Sequence, residues 1–163
     1  MDRLIFALTF ASALGSGVIA GVFFAFSAFV MKALARLAPA QGIAAMQSIN
    51  VVVLNPFFFA VFFGTAAGCL GLVVCSLIRW QKLGAFYLLA ASLLYLVGTI
   101  LVTIIFNVPR NNALAAVDPT SAEGAKLWAD YVNTWTAWNH VRTVAAFGAA
   151  AAFIAALCFH REV

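Results

Sequence analysis

The side chains best suited to chemistry lie within the eight residues from Trp135 to Arg142, WTAWNHVR. Histidine exchanges a proton near neutral pH, arginine stabilises an anion, and indole rings stack on planar ligands. His140 is therefore a candidate base, Arg142 a candidate anion-stabilising group, and Trp135 and Trp138 candidate walls of a slot for a flat molecule. The alternative is structural, because tryptophans at a helix end commonly form an interfacial belt and an arginine there extends toward lipid phosphates.

Helical periodicity divides this segment into two faces. Trp135, Trp138 and Arg142 share one face of a regular helix, which continues into alanine residues further along the chain. Small side chains usually pack inward in membrane helices, so this face is predicted to point into a bundle. His140 lies about 200° from Trp138. It reaches the other side chains only if the helix begins after it.

Four asparagine side chains join the candidate site, because they lie at or near the ends of apolar stretches. A buried amide needs hydrogen-bond partners, and near a membrane boundary these polar groups can satisfy one another. The predicted ligand-binding residues are Asn55, Asn107, Asn111, Trp135, Trp138 and Asn139. We expect the four amides, Trp138 and Arg142 to converge in one pocket.

A line of polar residues leads toward this pocket along the third apolar stretch. Tyr95, Thr99, Thr103 and Asn107 follow one another at four-residue steps. One interpretation is that the hydroxyl groups bond back to carbonyl groups of their own helix. The other is a cavity wall, because the line ends at a candidate site residue. The sequence leaves both open.

Four apolar stretches must position these residues: 4–31, 51–78, 83–106 and 141–159. Each is about as long as the ~20 helical residues that cross a bilayer. With 66% hydrophobic and 9% charged residues, the chain is too apolar for a soluble domain. We predict an all-α antiparallel bundle of four transmembrane helices, with short interfacial helices in the first and third loops and the lipid bilayer as its partner. The whole chain, 1–163, is predicted to form one integral membrane domain.

Local signals set the expected helix boundaries. Segment 39–50 has apolar residues at three-residue spacing, as in a helix that lies at the interface. Asn55 either caps the second membrane helix, with Pro56 at its first position, or Pro56 kinks a longer helix. The asparagine-rich segment 107–112 is typical of a turn. A capping-box pattern predicts that a helix begins near Ser121.

Small residues occur at GxxxG spacing in the first two stretches, as Gly17 with Gly21 and Gly64 with Gly68. In lipid, such residues let helix backbones approach closely. The spacing is common in apolar helices. It therefore fits packing inside the bundle and a homo-oligomer equally well.

Basic residues give only a small asymmetry between the two membrane faces. The face that carries both termini holds Arg3, Arg79, Lys82 and Arg161. The opposite face holds Lys32, Arg36, Arg110, Lys126 and Arg142. The compact basic turn at 79–82 is the densest short loop, which favours cytoplasmic termini.

Composition excludes several classes of function. The nine basic residues form no cluster of the kind that binds nucleic acid. Two histidines, three cysteines without CxxC spacing and no carboxylate in an apolar stretch give no typical metal centre. We therefore predict no metal and no cofactor. A proton-driven transporter normally carries a membrane-embedded carboxylate, and none is present here.

Four motifs along the chain share their pattern with one family. They are GVFFAFS at 21–27, Asn55-Pro56, FNVPRNNAL at 106–114, and WxxWNHxR from Trp135 to Arg142. This combination resembles the anthrone oxygenase-like family of small four-helix membrane proteins. The resemblance covers nearly the whole chain. It implies a protein of the bacterial inner membrane that oxygenates anthrone-like or related phenolic molecules.

Such an activity resembles cofactor-free oxygenation. A base removes an activated C–H proton, the enolate reacts with dioxygen, and the peroxide collapses to a quinone. The resemblance thus implies a slot formed by Trp135 and Trp138, enolate stabilisation by Arg142 and the neighbouring amides, and His140 as the base. Two alternatives are a non-catalytic membrane subunit and a carrier that binds a lipophilic aromatic ligand in the same slot.

Overall fold

Apolar sequence and membrane length together produce helices, because a backbone in lipid must satisfy its own polar groups. A computed structural model describes residues 3–159, which are mostly helical and contain no strand. Four helices are long and apolar enough to cross a membrane: Arg3–Leu34, Pro56–Ile78, Gly84–Ala115 and Ala122–Cys158. The prediction of an all-α protein with four such helices is confirmed.

The helices are numbered along the chain, and two of the long ones contain π-helical turns. The α-helices are α1 (Arg3–Ala25), α2 (Met31–Leu34), α3 (Pro39–Val52), α4 (Pro56–Ile78), α5 (Leu83–Leu93), α6 (Val108–Ala115) and α7 (Ala122–Cys158). A π-helical segment, Phe26–Val30, joins α1 to α2, and two more, Leu94–Leu101 and Thr103–Asn107, join α5 to α6. Such segments are rare and are frequently found at functional sites.

Helix starts follow the local capping signals. Asn55 caps α4, because its Oδ1 accepts a hydrogen bond from the backbone N–H of Phe58 at 3.0 Å, and Pro56 occupies the first turn. Ser121 caps α7 in the same way, with its Oγ accepting from the N–H of Gly124 at 2.9 Å. The capping interpretation of Asn55 and the start near Ser121 are therefore confirmed.

The helix of the third span, Gly84–Ala115, is called the third helix below and is distinct from α3. It does not end where the sequence indicated. It continues past Phe106 to Ala115, so the interpretation of 107–112 as a turn was wrong. Arg110 stabilises this extension, because its Nη1 donates to the carbonyl of Phe106 at 2.7 Å and its Nε to Thr134 Oγ1 at 3.1 Å. The helix expected in the third loop is the first part of α7, which runs without a break into the fourth span.

Two apolar cores hold the helices together. The first lies between α1, α4, α5 and α7 and is centred on buried residues such as Ile19, Leu72 and Phe153. The second lies under α3, where Ile43 and Met46 pack against the Trp128 side of α7. Segment α3 therefore covers the end of the bundle instead of presenting these side chains to lipid.

Most glycines of the two GxxxG pairs do not lie at close helix contacts. A Cβ atom at Gly17, Gly21 or Gly64 would meet nothing within 4 Å, whereas one at Gly68 would lie 2.7 Å from Ser12 Oγ. The tightest fixed contact involves Gly98 in the third helix, where a Cβ would collide with Cβ of Ala145 on α7.

Replacing Gly98 with alanine is expected to lower the free energy of unfolding by about 1–3 kcal/mol, because Ala145 Cβ cannot rotate away. Gly17→Ala is the matched control, and its stability should be unchanged or slightly raised, since alanine favours helix. Thermal unfolding of both variants in one detergent measures the difference. Equal unfolding temperatures would contradict the close helix contact.

Candidate functional site

A cavity of about 190 Å³ lies between the two apolar cores. It is bounded by α1, α3, α4, the third helix and α7. Its walls are largely apolar, and seven of the 18 lining residues are aromatic, among them Phe23, Phe26, Phe58, Phe62 and Trp135. Four polar side chains also line it: Asn50, Thr103, Asn111 and Arg142. An apolar pocket with a few convergent polar groups is the usual form of a small-molecule site.

Arg142 is the charged member of this lining and is only 4% exposed. Its Nη1 donates to Thr103 Oγ1 at 3.2 Å and its Nη2 to Asn139 Oδ1 at 2.7 Å. The guanidinium carbon lies 4.1 Å from the ring centre of Phe23 and 5.1 Å from that of Trp135.

No carboxylate pairs with Arg142 in the described part of the chain, where Asp118, Glu123 and Asp130 are all exposed. Its Nε atom is buried without a hydrogen-bond partner there. A buried cation is costly unless an anion or good hydrogen bonds offset its desolvation. The positive charge of Arg142 can therefore bind an anionic or electron-rich oxygen of a ligand.

Asn139, one turn before Arg142 on α7, holds the guanidinium in position from outside the cavity lining. It is fully buried, and its Nδ2 donates to the carbonyl of Phe23 at 2.8 Å and to Ser27 Oγ at 2.7 Å. Its Oδ1 accepts from the guanidinium. A single amide therefore connects α1 to α7 and fixes the arginine.

Asn107 and Asn111 orient the aromatic part of α7. Asn111 Oδ1 accepts hydrogen bonds from the Tyr131 hydroxyl and from Trp135 Nε1, each at 2.8 Å. Asn107 is 1% exposed, and its Nδ2 donates to the carbonyl of Trp135 at 3.2 Å. Asn111 and Trp135 line the cavity, while Asn107 supports them from behind.

Only three predicted site residues line the cavity, Asn111, Trp135 and Arg142; Asn107 and Asn139 support it from outside the lining, and three more lie away from it. His140 is exposed and lines a separate groove with Lys32, in line with its helical phase, because α7 is regular through this region. Trp138 stacks on Phe106, with ring centres 3.5 Å apart and planes 6° apart. Asn55 caps α4 and so acts on the cavity only through the helix that carries its phenylalanine wall. The expected convergence of all four amides with Trp138 and Arg142 is therefore not what the structure shows.

Asn50 and Thr103 line the cavity but were not predicted as site residues. Asn50 is the last polar residue of α3, and its buried Nδ2 lies near the Tyr131 hydroxyl without a well-aligned hydrogen bond to any of residues 3–159. Thr103 belongs to the polar line of the third helix and both accepts from Arg142 and donates to the carbonyl of Thr99 at 2.7 Å. Thr103 therefore fits both interpretations of that line, because it bonds back to a carbonyl of its own helix and also lines the cavity.

Comparison with known families assigns the chain to one of them. The sequence model of the family described as anthrone oxygenase matches residues 57–152, more than half of the chain. The chain belongs to the anthrone oxygenase family. The matched region contains α4, the third helix and the part of α7 that carries Trp135 and Arg142, so most of the cavity lies in the family-defining part. Searches of curated proteins and of solved structures found no match.

Proposed function

We propose that this integral membrane protein oxygenates anthrone-like or related phenolic molecules without a cofactor. The observation that carries the proposal is Arg142, a buried cation with no carboxylate beside it, in an aromatic-walled cavity of a member of the anthrone oxygenase family. An enol or phenol becomes more acidic beside a cation, because the cation stabilises its anion. The site thus favours the reactive form of such a substrate.

The size of the cavity suits an aromatic ring. An apolar cavity of about 150 Å³ in another protein accepts benzene, and the cavity here measures about 190 Å³ and is open on one side. One ring fits inside, and a larger ring system extends through the opening. The Phe23 and Trp135 rings beside Arg142 provide surfaces for stacking.

The reaction balances with dioxygen alone. Loss of a C–H proton gives an enolate whose oxygen is stabilised by the positive charge of Arg142 and by the amide of Asn50, two residues that line the cavity. The enolate carbon adds dioxygen and takes up a proton to form a hydroperoxide. Loss of water from that hydroperoxide gives the quinone carbonyl. Stabilisation of the developing oxyanion by fixed donors is the contribution of the protein.

His140 is not the base in this proposal, because its side chain is exposed and lines a separate groove. Among residues 3–159, no histidine or carboxylate lines the cavity. We propose that water accepts the proton while Arg142 stabilises the enolate. In this proposal Trp135 forms a wall of the slot. Trp138 does not contact the ligand and instead supports the third helix by stacking on Phe106.

His140→Ala is accordingly expected to retain the wild-type rate of quinone formation. The assay uses purified, metal-free protein with an anthrone under oxygen and subtracts spontaneous autoxidation. Wild type should exceed that background, and His140→Ala should match wild type across neutral pH. A wild-type rate equal to the background would overturn the oxygenase proposal. Loss of activity in His140→Ala alone would restore the histidine as base.

A carrier for a lipophilic aromatic ligand is the second candidate, favoured by the lack of a titratable base in the cavity lining. It would bind the ligand without turnover, and binding measured in the absence of oxygen separates the two functions. A subunit role or homo-oligomer through the open faces of Gly17, Gly21 and Gly64 is a further proposal. Location in a bacterial inner membrane with cytoplasmic termini stays a prediction, and Arg161, used in that charge balance, lies outside the described residues.

A further inference from the structure

The exposed residues of the cavity lining are all apolar, and together they are called the mouth of the cavity below. Five of its lining residues are exposed: Leu54, Phe59, Phe63, Ile104 and Val108. The polar lining residues are in contrast buried or half-buried. The cavity therefore has an apolar mouth and a polar inner end.

The mouth lies on uncharged stretches of two helices that can cross the membrane. Phe59 and Phe63 belong to α4, and Ile104 and Val108 to the third helix. No charged residue occurs between positions 37 and 78 or between 83 and 109. Neighbouring side chains outside the cavity, such as Phe57 and Ile105, are also exposed and apolar. Exposed phenylalanine and isoleucine side chains on such uncharged helical stretches are expected to contact lipid chains.

We infer that the ligand reaches the cavity sideways from the bilayer, through the gap between α4 and the third helix. It is an amphiphilic phenol whose hydroxyl-bearing ring reaches Arg142 and whose alkyl or prenyl substituent stays in the mouth among the lipid chains. The phenolic head rests on the proposed function, whereas the lipid-side route and the apolar tail rest on the mouth itself.

Cavity dimensions and polarity support this orientation. The volume of about 190 Å³ holds a ring but not a long chain as well. The hydrogen-bond donors of the lining, the guanidinium of Arg142 and the amide of Asn50, belong to the polar inner end. A molecule that enters with its phenolic ring first bonds to these donors and leaves its apolar part among the apolar residues. No polar group of the ligand or the protein is then buried without a hydrogen bond.

The test is photolabelling of the full chain in lipid nanodiscs with 4-dodecylphenol that carries a diazirine in the middle of its alkyl chain. Mass spectrometry then locates the labelled residues. We expect labelling of the five mouth residues that excess 4-dodecylphenol prevents and excess dodecylbenzene does not. Labelling that is spread over lipid-facing residues such as Phe57, or that competitor does not reduce, would overturn the inference.

A pair of variants tests the route itself. Ile104→Trp narrows the mouth and should slow both association and dissociation of 4-dodecylphenol about tenfold, within the range that mutations change association rates. Ile105→Trp is the matched control, because Ile105 is the adjacent residue, is 50% exposed against 54% for Ile104, and does not line the cavity. Equal rates in the two variants would place the route elsewhere. If labelling and rates behave as expected but no quinone forms, the lipid-side route stands and the oxygenase proposal fails.

Discussion

Arg142→Met is expected to reduce quinone formation to the level of spontaneous autoxidation. Removing one donor to a developing oxyanion commonly costs about 10²–10³-fold in rate, and here the variant also removes the positive charge that favours the enolate. The same substitution should abolish tight binding of a phenol, measured without oxygen. This is the largest functional effect that the structure predicts.

The stability of Arg142→Met should stay close to wild type, which separates function from folding. The variant loses a donor to Asn139 Oδ1, which costs about 1–3 kcal/mol, but it also removes the desolvation of a buried charge without an anionic partner. Methionine adapts to the space between the aromatic rings. Thermal unfolding in detergent measures this balance.

Arg110→Met is the control for Arg142→Met. Arg110 is half-buried, bonds Phe106 and Thr134, and lies outside the cavity lining. It should therefore keep activity while losing some stability of the third helix. If both arginine variants lost activity equally, or if Arg142→Met kept the wild-type rate, the role given to Arg142 would be wrong.

Asn139→Leu is expected to have the largest effect on stability, lowering the free energy of unfolding by about 2–4 kcal/mol as several buried partners lose their hydrogen bonds. The carbonyl of Phe23, Ser27 Oγ and the Arg142 guanidinium all bond to this one side chain. The variant should lose activity as well, because Arg142 is no longer held in place.

Asn133→Leu on the same helix is the matched control. Asn133 is exposed, and its Nδ2 bonds only to the carbonyl of Ala129 one turn earlier. We expect this change to leave the unfolding temperature and the activity nearly unaltered. Equal destabilisation by the two leucine substitutions would show that the α1–α7 connection through Asn139 contributes nothing specific.

Features that depend on neighbours in sequence were predictable. Four long apolar stretches indicated four membrane helices, because only a helix satisfies its backbone within one segment in lipid. Ser121 indicated the start of α7, and a cap at Asn55 was one of two possible interpretations for the start of α4, since a capping side chain bonds to a backbone group three residues away. The phase of a regular helix indicated that His140 points away from Trp138, but where the helix begins had to be known before its place was decided.

Features that depend on packing between helices were not predictable. The asparagine-rich segment after Phe106 continues as helix because Arg110 bonds to Thr134 on α7, a partner 24 residues away. Trp138 shares a helical face with Arg142, yet its ring stacks on Phe106 instead of lining the cavity. Asn50 reaches the site only because α3 folds over the end of the bundle. Sequence alone thus determined the helices, several of their ends and the polar groups available, whereas the tertiary structure decided which of those groups share one cavity, since that depends on contacts between residues far apart in the chain.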